Sequence, residues 1–312
     1  MKKALDYILL YVKGLSMGAV DVIPGISGGT VAFVTGIHQE LIYSIRAIDR
    51  EAFSLLVKFR FAEFWQKING NFLLTVFAGI FTSIFLLAPS MAYLLRYYSI
   101  PLWSLLFGLI LIAAPLALRK ITRWTAGTVL AFLAGIVIMY TLTRLNALQL
   151  PAALWMIFVA GVLCSCGMLL PGVSGAFLLV FINRYQAVIN AVSKFNGIVL
   201  ITFLMGGVIG LLGFSRVFSW VLNNYRNTAV AFMAGFMLGS LNKVWPWRQV
   251  QQYVTNGSGE QVPVAEKSVL PWDYVTLTGK DPHVFQAILM MALGVFIVVL
   301  TERITARLKT NI

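Results

Sequence analysis

Charge is scarce in this sequence. Only 11% of its 312 residues are Asp, Glu, Lys or Arg, against 59% hydrophobic, whereas a soluble domain carries about a quarter charged residues. The mean hydropathy is +0.85, so an ordinary water-soluble fold is excluded. Histidine and cysteine are rarer still, two of each. His38 and His283 lie far apart, and Cys164 and Cys166 sit inside an apolar run, so neither a disulfide framework nor a metal-ligand spacing is present. The two cysteines read as small buried apolar residues, and no metal or cofactor is expected. Acidic residues number 11 against 24 Lys and Arg, a formal charge of +13. That surplus is spread over short loops between apolar runs, not gathered in one patch, which argues against nucleic acid as a partner. The basic residues read instead as topology signals and as contacts for anionic membrane lipids. A nucleotide-binding Gly-rich motif is also lacking, so ATP hydrolysis is not expected to drive the protein.

Apolar length, by contrast, is plentiful. Uncharged runs occupy Phe72–Leu95, Tyr97–Leu118, Trp124–Thr143, Leu145–Asn183, Phe195–Ser215, Asn227–Asn242 and Val284–Thr301. Most approach the ~20 residues that cross a ~30 Å hydrocarbon core as a helix. The expected fold is therefore an all-α polytopic membrane protein. The start, Met1-Lys2-Lys3 before apolar residues, imitates a signal peptide, but Asp6 interrupts it and the segment recurs later, so it is expected to belong to the mature fold.

The chain repeats itself. Gly14, Pro24, Gly25, Ser27, Gly28, Gln39 and Ile42 recur as Gly161, Pro171, Gly172, Ser174, Gly175, Gln186 and Ile189. Past a longer loop, Thr75, Gly79, Tyr98 and Gly108 pair with Thr202, Gly206, Tyr225 and Gly235, while Gly135 and Arg144 pair with Gly294 and Arg303. The repeats run over 1–146 and 147–312. Each holds a Pro-Gly turn inside an apolar stretch too long for one crossing. Proline lacks a donor, and irregular backbone at membrane depth survives only within protein or beside water. A re-entrant hairpin followed by three spans is the reading, and three crossings make the second repeat inverted. The first repeat then comprises a hairpin at 4–37, an interfacial segment at 46–71 and spans at 72–95, 101–118 and 124–143. The second comprises a hairpin at 150–183 and spans at 198–222, 227–244 and 284–303, with a periplasmic loop at 243–283. This topology gathers most Lys and Arg on the face of both termini, which should be cytoplasmic. A parallel arrangement with four crossings per half has the same charge excess.

In Pro24-Gly25-Ile26-Ser27-Gly28-Gly29-Thr30 the turn precedes a helix-length apolar run, so Ser27 is placed to cap a half-helix that begins inside the membrane. A helix start offers unpaired N–H groups and about half a positive charge. The copy at Pro171-Gly172-Val173-Ser174-Gly175 would aim a second such end at the first, making an anion site near the midplane; the bland reading of both is a helix break with close glycine packing. The pairs Gly14/Gly18, Gly206/Gly210 and Gly235/Gly239 read as close helix contacts. Ionisable groups break the symmetry: Lys13, Asp21, His38, Glu40 and Arg46 align with Ala160, Met168, Tyr185, Ala187 and Ser193. Charge at membrane depth is costly, which makes Asp21, Glu40 and His38 the candidates for a protonatable coupling group. Arg216 is a candidate phosphate contact or a snorkelling cation, and Arg46 and Arg184 are candidates for head-group access. Segment 46–71 mixes aromatic and basic residues as an interfacial anchor does.

The stretch Gly-x-x-x-Gly-Ala-Val-Asp-x-x-Pro-Gly-Ile-Ser-Gly-Gly-Thr at 14–30, with its partner at Pro171–Gly175, resembles a bacterial family long known as the domain of unknown function DUF368, the PopT-type polyprenyl-phosphate translocases. The resemblance covers essentially the whole chain. It implies a non-enzymatic carrier in the bacterial inner membrane that returns undecaprenyl phosphate from the outer to the inner leaflet, recycling the lipid carrier of cell-wall synthesis. It implies further that Ser27, Gly28, Gly29, Thr30, Ser174 and Gly175 form the phosphate site, with Asp21, Glu40 and Arg216 as further candidates. In the second motif Ala176 and Phe177 stand where the first has Gly29 and Thr30, so the half-sites are not equivalent. Protons or another ion are the expected coupling partner. Two rivals remain: an undecaprenyl-diphosphate phosphatase, whose family has a Pro-Gly-x-Ser-Arg-Ser turn and an acidic pair that this sequence lacks, and a carrier of a small soluble anion.

Overall fold

A computed structural model describes residues 4–21, 27–145, 148, 150–151, 153–255 and 261–310. The turn residues Pro24 and Gly25 lie outside the described residues. In chain order the helices are α1 (Ala4–Asp21), α2 (Gly28–Val34), α3 (His38–Arg46), α4 (Arg50–Val57), α5 (Phe61–Lys67), α6 (Gly70–Tyr97), α7 (Ser99–Leu118), α8 (Ala126–Arg144), α9 (Leu154–Leu169), α10 (Gly175–Phe181), α11 (Tyr185–Ser193), α12 (Gly197–Asn224) and α13 (Arg226–Ser240). A 3₁₀ turn (Leu241–Val244), an antiparallel hairpin of β1 (Arg248–Thr255) and β2 (Gln261–Ser268), α14 (Pro271–Thr278) and α15 (Val284–Thr310) follow.

The protein is an all-α polytopic membrane protein apart from that hairpin. Among the described residues α6, α7, α8, α12 and α15 are long and apolar enough to cross a bilayer, and α10 and α11 form a pair bent by 115°. Their outer faces are apolar: Ile198, Ile201, Leu204 and Val208 on α12, and Phe285, Ile288 and Phe296 on α15, are all exposed. In water such faces would be untenable; against lipid tails they cost nothing. The span expected at 227–244 is a helix of only 15 residues, α13, continued by the 3₁₀ turn. Protein surrounds it, and Val230, Met233, Ala234 and Met237 are buried.

Lipid tails give helices no hydrophobic reason to associate, so the bundle relies on close backbone approach. Four crossings supply it. Gly14 meets Val76 while Gly79 meets Tyr11 and Leu15, and in the same way Gly161 meets Phe203 while Gly206 meets Phe158. Gly108 meets Met291 while Gly294 meets Leu105, and Gly135 meets Phe232 while Gly235 meets Phe132. At each of these eight positions an added Cβ would fall within 2.6 Å of a facing carbonyl oxygen. The repeat-paired glycines thus build two equivalent pairs of crossings: α1 on α6 and α9 on α12 within each repeat, then α7 on α15 and α8 on α13 between repeats. The turns after α2 and α10 correspond as well, with Gly36 at φ 78° and Asn183 at φ 56°.

Residues 46–71 hold the short helices α4 and α5, and this segment exposes Phe53, Phe59, Phe61 and Trp65. Asp49 caps α4 by accepting the Ala52 N–H at 2.8 Å and pairs with Lys67 at 2.9 Å. At the other end of the bundle the hairpin is pinned by Trp245 Nε1 donating to Val269 O and Trp247 Nε1 donating to Pro282 O, both at 2.8 Å. Arg248 donates to Glu266 at 2.6 Å and lies 4.2 Å over the Trp103 ring.

Candidate functional site

Two helices stop inside the bundle. A helix end leaves its last carbonyls and first amides without intrahelical partners, and each costs about 1–3 kcal/mol if buried unsatisfied. The end of α9 is such a place, and the first motif answers it. Ser27, fully buried, is within 3.4 Å of both Met168 O and Leu170 O, to which its hydroxyl is positioned to donate. His38 Nε2 stands 2.7 Å from Leu169 O, an acceptor, so that nitrogen carries the proton and Nδ1 is left without a hydrogen-bond partner. Thr30 Oγ1 accepts the Gly172 N–H at 2.9 Å. Gly172 has φ +93°, the left-handed region in which a side chain is strained.

The start of α2 is closed from its own side. Ser27 is the N-cap, its Oγ accepting the Gly29 N–H at 2.9 Å. Asp21, the last residue of α1, accepts the Gly28 N–H on Oδ1 at 2.6 Å. Both glycines are needed at these distances. A Cβ on Gly28 would lie 2.5 Å from Asp21 Oδ2, and one on Gly29 2.4 Å from Met168 O. The Asp21 side chain thus occupies the first amide of α2. The start of α10 differs: Ser174, also buried, makes no capping bond, and Gly175 packs on the backbone of Cys164.

The structure therefore brings Ser27, Gly29, Thr30 and His38 against Met168–Gly172, with Asp21 joined to them through Gly28. Other sequence candidates lie elsewhere. Glu40 accepts from Asn69 Nδ2 at 3.0 Å, at the foot of α6. Arg216 is exposed and donates to Ile48 O at 3.1 Å, holding α12 to the turn after α3. Arg46 is exposed at the end of α3. Arg184 is buried and donates to Leu150 O, Pro151 O and Asn183 O, clamping the chain before α9. Sequence reasoning missed the carbonyls of Met168–Leu170, which no side-chain pattern announces, and missed the role of His38 as a donor to them. Among the described residues no group of His, Cys, Asp and Glu is arranged to hold a metal ion.

Fold and site together define a multi-pass α-helical membrane protein in which two duplicated helix breaks meet in the core. A family profile described as VCA0040-like, undecaprenyl phosphate translocase-like, matches residues 17–262, and the chain belongs to that family. It is similar to the polyprenyl-phosphate transporter of Vibrio cholerae serotype O1, with 41% identity over 301 residues, 96% of this chain and 98% of the relative. It is also similar to the polyprenyl-phosphate transporter of Staphylococcus aureus, with 31% identity over 252 residues, 75% of this chain and 84% of the relative. No solved structure matches the chain at a significant level.

Proposed function

We propose that the protein translocates undecaprenyl phosphate across the bacterial cytoplasmic membrane, from the outer to the inner leaflet, without chemical conversion. The observation that carries this reading is the meeting of the two duplicated breaks, with the Asp21 carboxylate seated on the Gly28 N–H at 2.6 Å. Relatives named polyprenyl-phosphate transporters, matched along nearly the full chain in one case, support the substrate class.

In this reading the phosphate binds between the two breaks, at Ser27–Thr30 and Ser174–Gly175. A carboxylate and a phosphate are both anions and repel each other at one amide. Asp21 is thus a placeholder: it holds the Gly28 N–H when the site is empty, and it takes up a proton and releases the amide when phosphate arrives. Proton uptake on loading and proton release on unloading couple the lipid to the pH gradient. The apolar tail stays in the bilayer alongside the bundle.

Alternating access in many carriers rocks one inverted repeat against the other, and chain direction here supports that architecture. α7 ends at the loop whose Thr122 bonds Asn227, in the first turn of α13. The repeat-equivalent helices α7 and α13 therefore run in opposite senses. The face holding this loop, the start of α1 and the end of α15 is taken as cytoplasmic.

The experiment is leaflet-resolved movement of labelled undecaprenyl phosphate in proteoliposomes, run beside short water-soluble phosphates and undecaprenyl diphosphate. Movement of the lipid phosphate alone, with no phosphate released from the diphosphate, is the expected result. Release of phosphate would make the protein a phosphatase, and movement of only the soluble species would make it an anion carrier.

A further inference from the structure

A second basic feature lies away from the helix breaks. Where α7 gives way to α8 and α12 to α13, the two connecting loops enclose an open cavity of about 540 Å³. Lys120, Arg123 and Arg226 line it together with amide and hydroxyl groups, and no carboxylate does so among the described residues. The arrangement is built rather than incidental. Asn227 bolts one loop to the other: its Oδ1 accepts the Thr122 N–H at 3.3 Å, and its Nδ2 bonds Thr122 Oγ1 at 3.1 Å and Arg123 O at 3.4 Å. Arg123 and Arg226 are thereby held on either side of one space. Two helices, α8 and α13, also begin at this wall, and their dipoles add to the positive field. Lys120 reaches the other way as well, its Nζ 5.3 Å over the Phe33 ring on α2, in a smaller cavity that Glu302 also lines.

The equivalent place at the opposite end is closed. There the starts of α7 and α15 are covered by Trp247 and Tyr274, which pack with Ile100 and Ala287 into an apolar cluster. Among the described residues, the insert at 241–283 covers the place where the loops at the other end leave a cavity open.

We infer that this cavity is a second anion site, which takes a phosphomonoester through Arg123, Arg226 and Lys120 as the head group leaves the midplane site. The guanidinium groups suit it because each offers a planar fork matched to phosphate oxygens. The inference rests on the transport reading for its role, though not for the binding itself.

The test uses the full chain in nanodiscs of phosphatidylcholine, titrated calorimetrically with inorganic phosphate and with farnesyl phosphate. Two sets of changes are compared: Arg123→Gln with Arg226→Gln, and Ser27→Ala with Thr30→Val. The arginine pair should weaken both probes by at least about tenfold, the scale of a lost charge-assisted contact, with Arg123→Lys and Arg226→Lys restoring part of the loss. The motif pair should leave a phosphate-binding component that the arginine changes remove. Unchanged binding in the arginine pair overturns the site. Loss confined to inorganic phosphate, with farnesyl phosphate unaffected, overturns the head-group assignment. If undecaprenyl phosphate fails to cross in the wild type while farnesyl phosphate still requires the arginines, the transport reading falls and the anion site stands.

Discussion

Asp21 Oδ1 accepts the Gly28 N–H at 2.6 Å, so the last residue of one helix caps the first of the next across a break inside the bundle. The contact makes α1 and α2 a closed pair, and anything negative that approaches this amide must first displace a carboxylate.

On the proposed mechanism, exchange of that kind moves a proton. When farnesyl phosphate is added to weakly buffered, detergent-solubilised protein, about one proton is expected to leave solution for Asp21 per ligand bound at the helix breaks. Asp21→Asn should bind the ligand with no proton taken up. Equal uptake by the two proteins would remove Asp21 from the coupling.

Thr30 and Gly172 hold the two breaks together, and replacing Thr30 with Val keeps the shape while deleting the acceptor. The stranded Gly172 N–H should cost about 1–3 kcal/mol, read as a lower midpoint of thermal unfolding in micelles. Thr30→Ser keeps the hydroxyl and should keep most of the stability.

The glycine crossings are a steric demand rather than a choice of propensity. Gly235→Ala drives a Cβ to 2.0 Å from Phe132 O, whereas Gly213 on α12 has nothing within 4 Å of its Cβ position. Over-packing should destabilise Gly235→Ala by about 1–3 kcal/mol, while Gly213→Ala should be neutral or stabilising by up to about 1 kcal/mol. Thermal unfolding of the two variants side by side separates a crossing from a free helix face.

The interfacial segment carries its own pH dependence. The Ala52 N–H, and after it Lys67, hold the Asp49 carboxyl below its ordinary value of 3.8. A group depressed in this way adds stability above its unfolded value and loses it as pH falls through the folded one. Hydrogen exchange across residues 50–57 should therefore quicken below about pH 4. In Asp49→Asn the exchange should be faster at neutral pH and flat over the same acid range.

Much of this was legible before the fold was described. The spaced glycines at Gly14/Gly18, Gly206/Gly210 and Gly235/Gly239 signalled close backbone approach, whereas the crossings of Gly108 with Gly294 and of Gly135 with Gly235 emerge only in the fold. Asp21 was visible as a charge that the second repeat lacks. Other features have no sequence signature. Backbone carbonyls at Met168–Leu170 accept from Ser27 and His38, and a carbonyl looks the same under every side chain. Arg216 was a phosphate candidate because composition does not reveal which way a helix turns; it faces outward, onto Ile48. The hairpin at 248–268 escaped because its alternation is polar and its hold on the bundle runs through Trp245, Trp247 and Arg248, whose partners Val269, Pro282 and Trp103 are distant in sequence.

On the proposed function, the two breaks form one site that carries a lipid phosphate through the membrane together with a proton. Leaflet-resolved movement of undecaprenyl phosphate in proteoliposomes, with and without an imposed pH gradient, tests it most directly. Movement in the wild type should be accelerated by the gradient, and movement should be lost in the Ser27→Ala, Thr30→Val variant. Absence of movement in the wild type under both conditions, or undiminished movement in the variant, would contradict it.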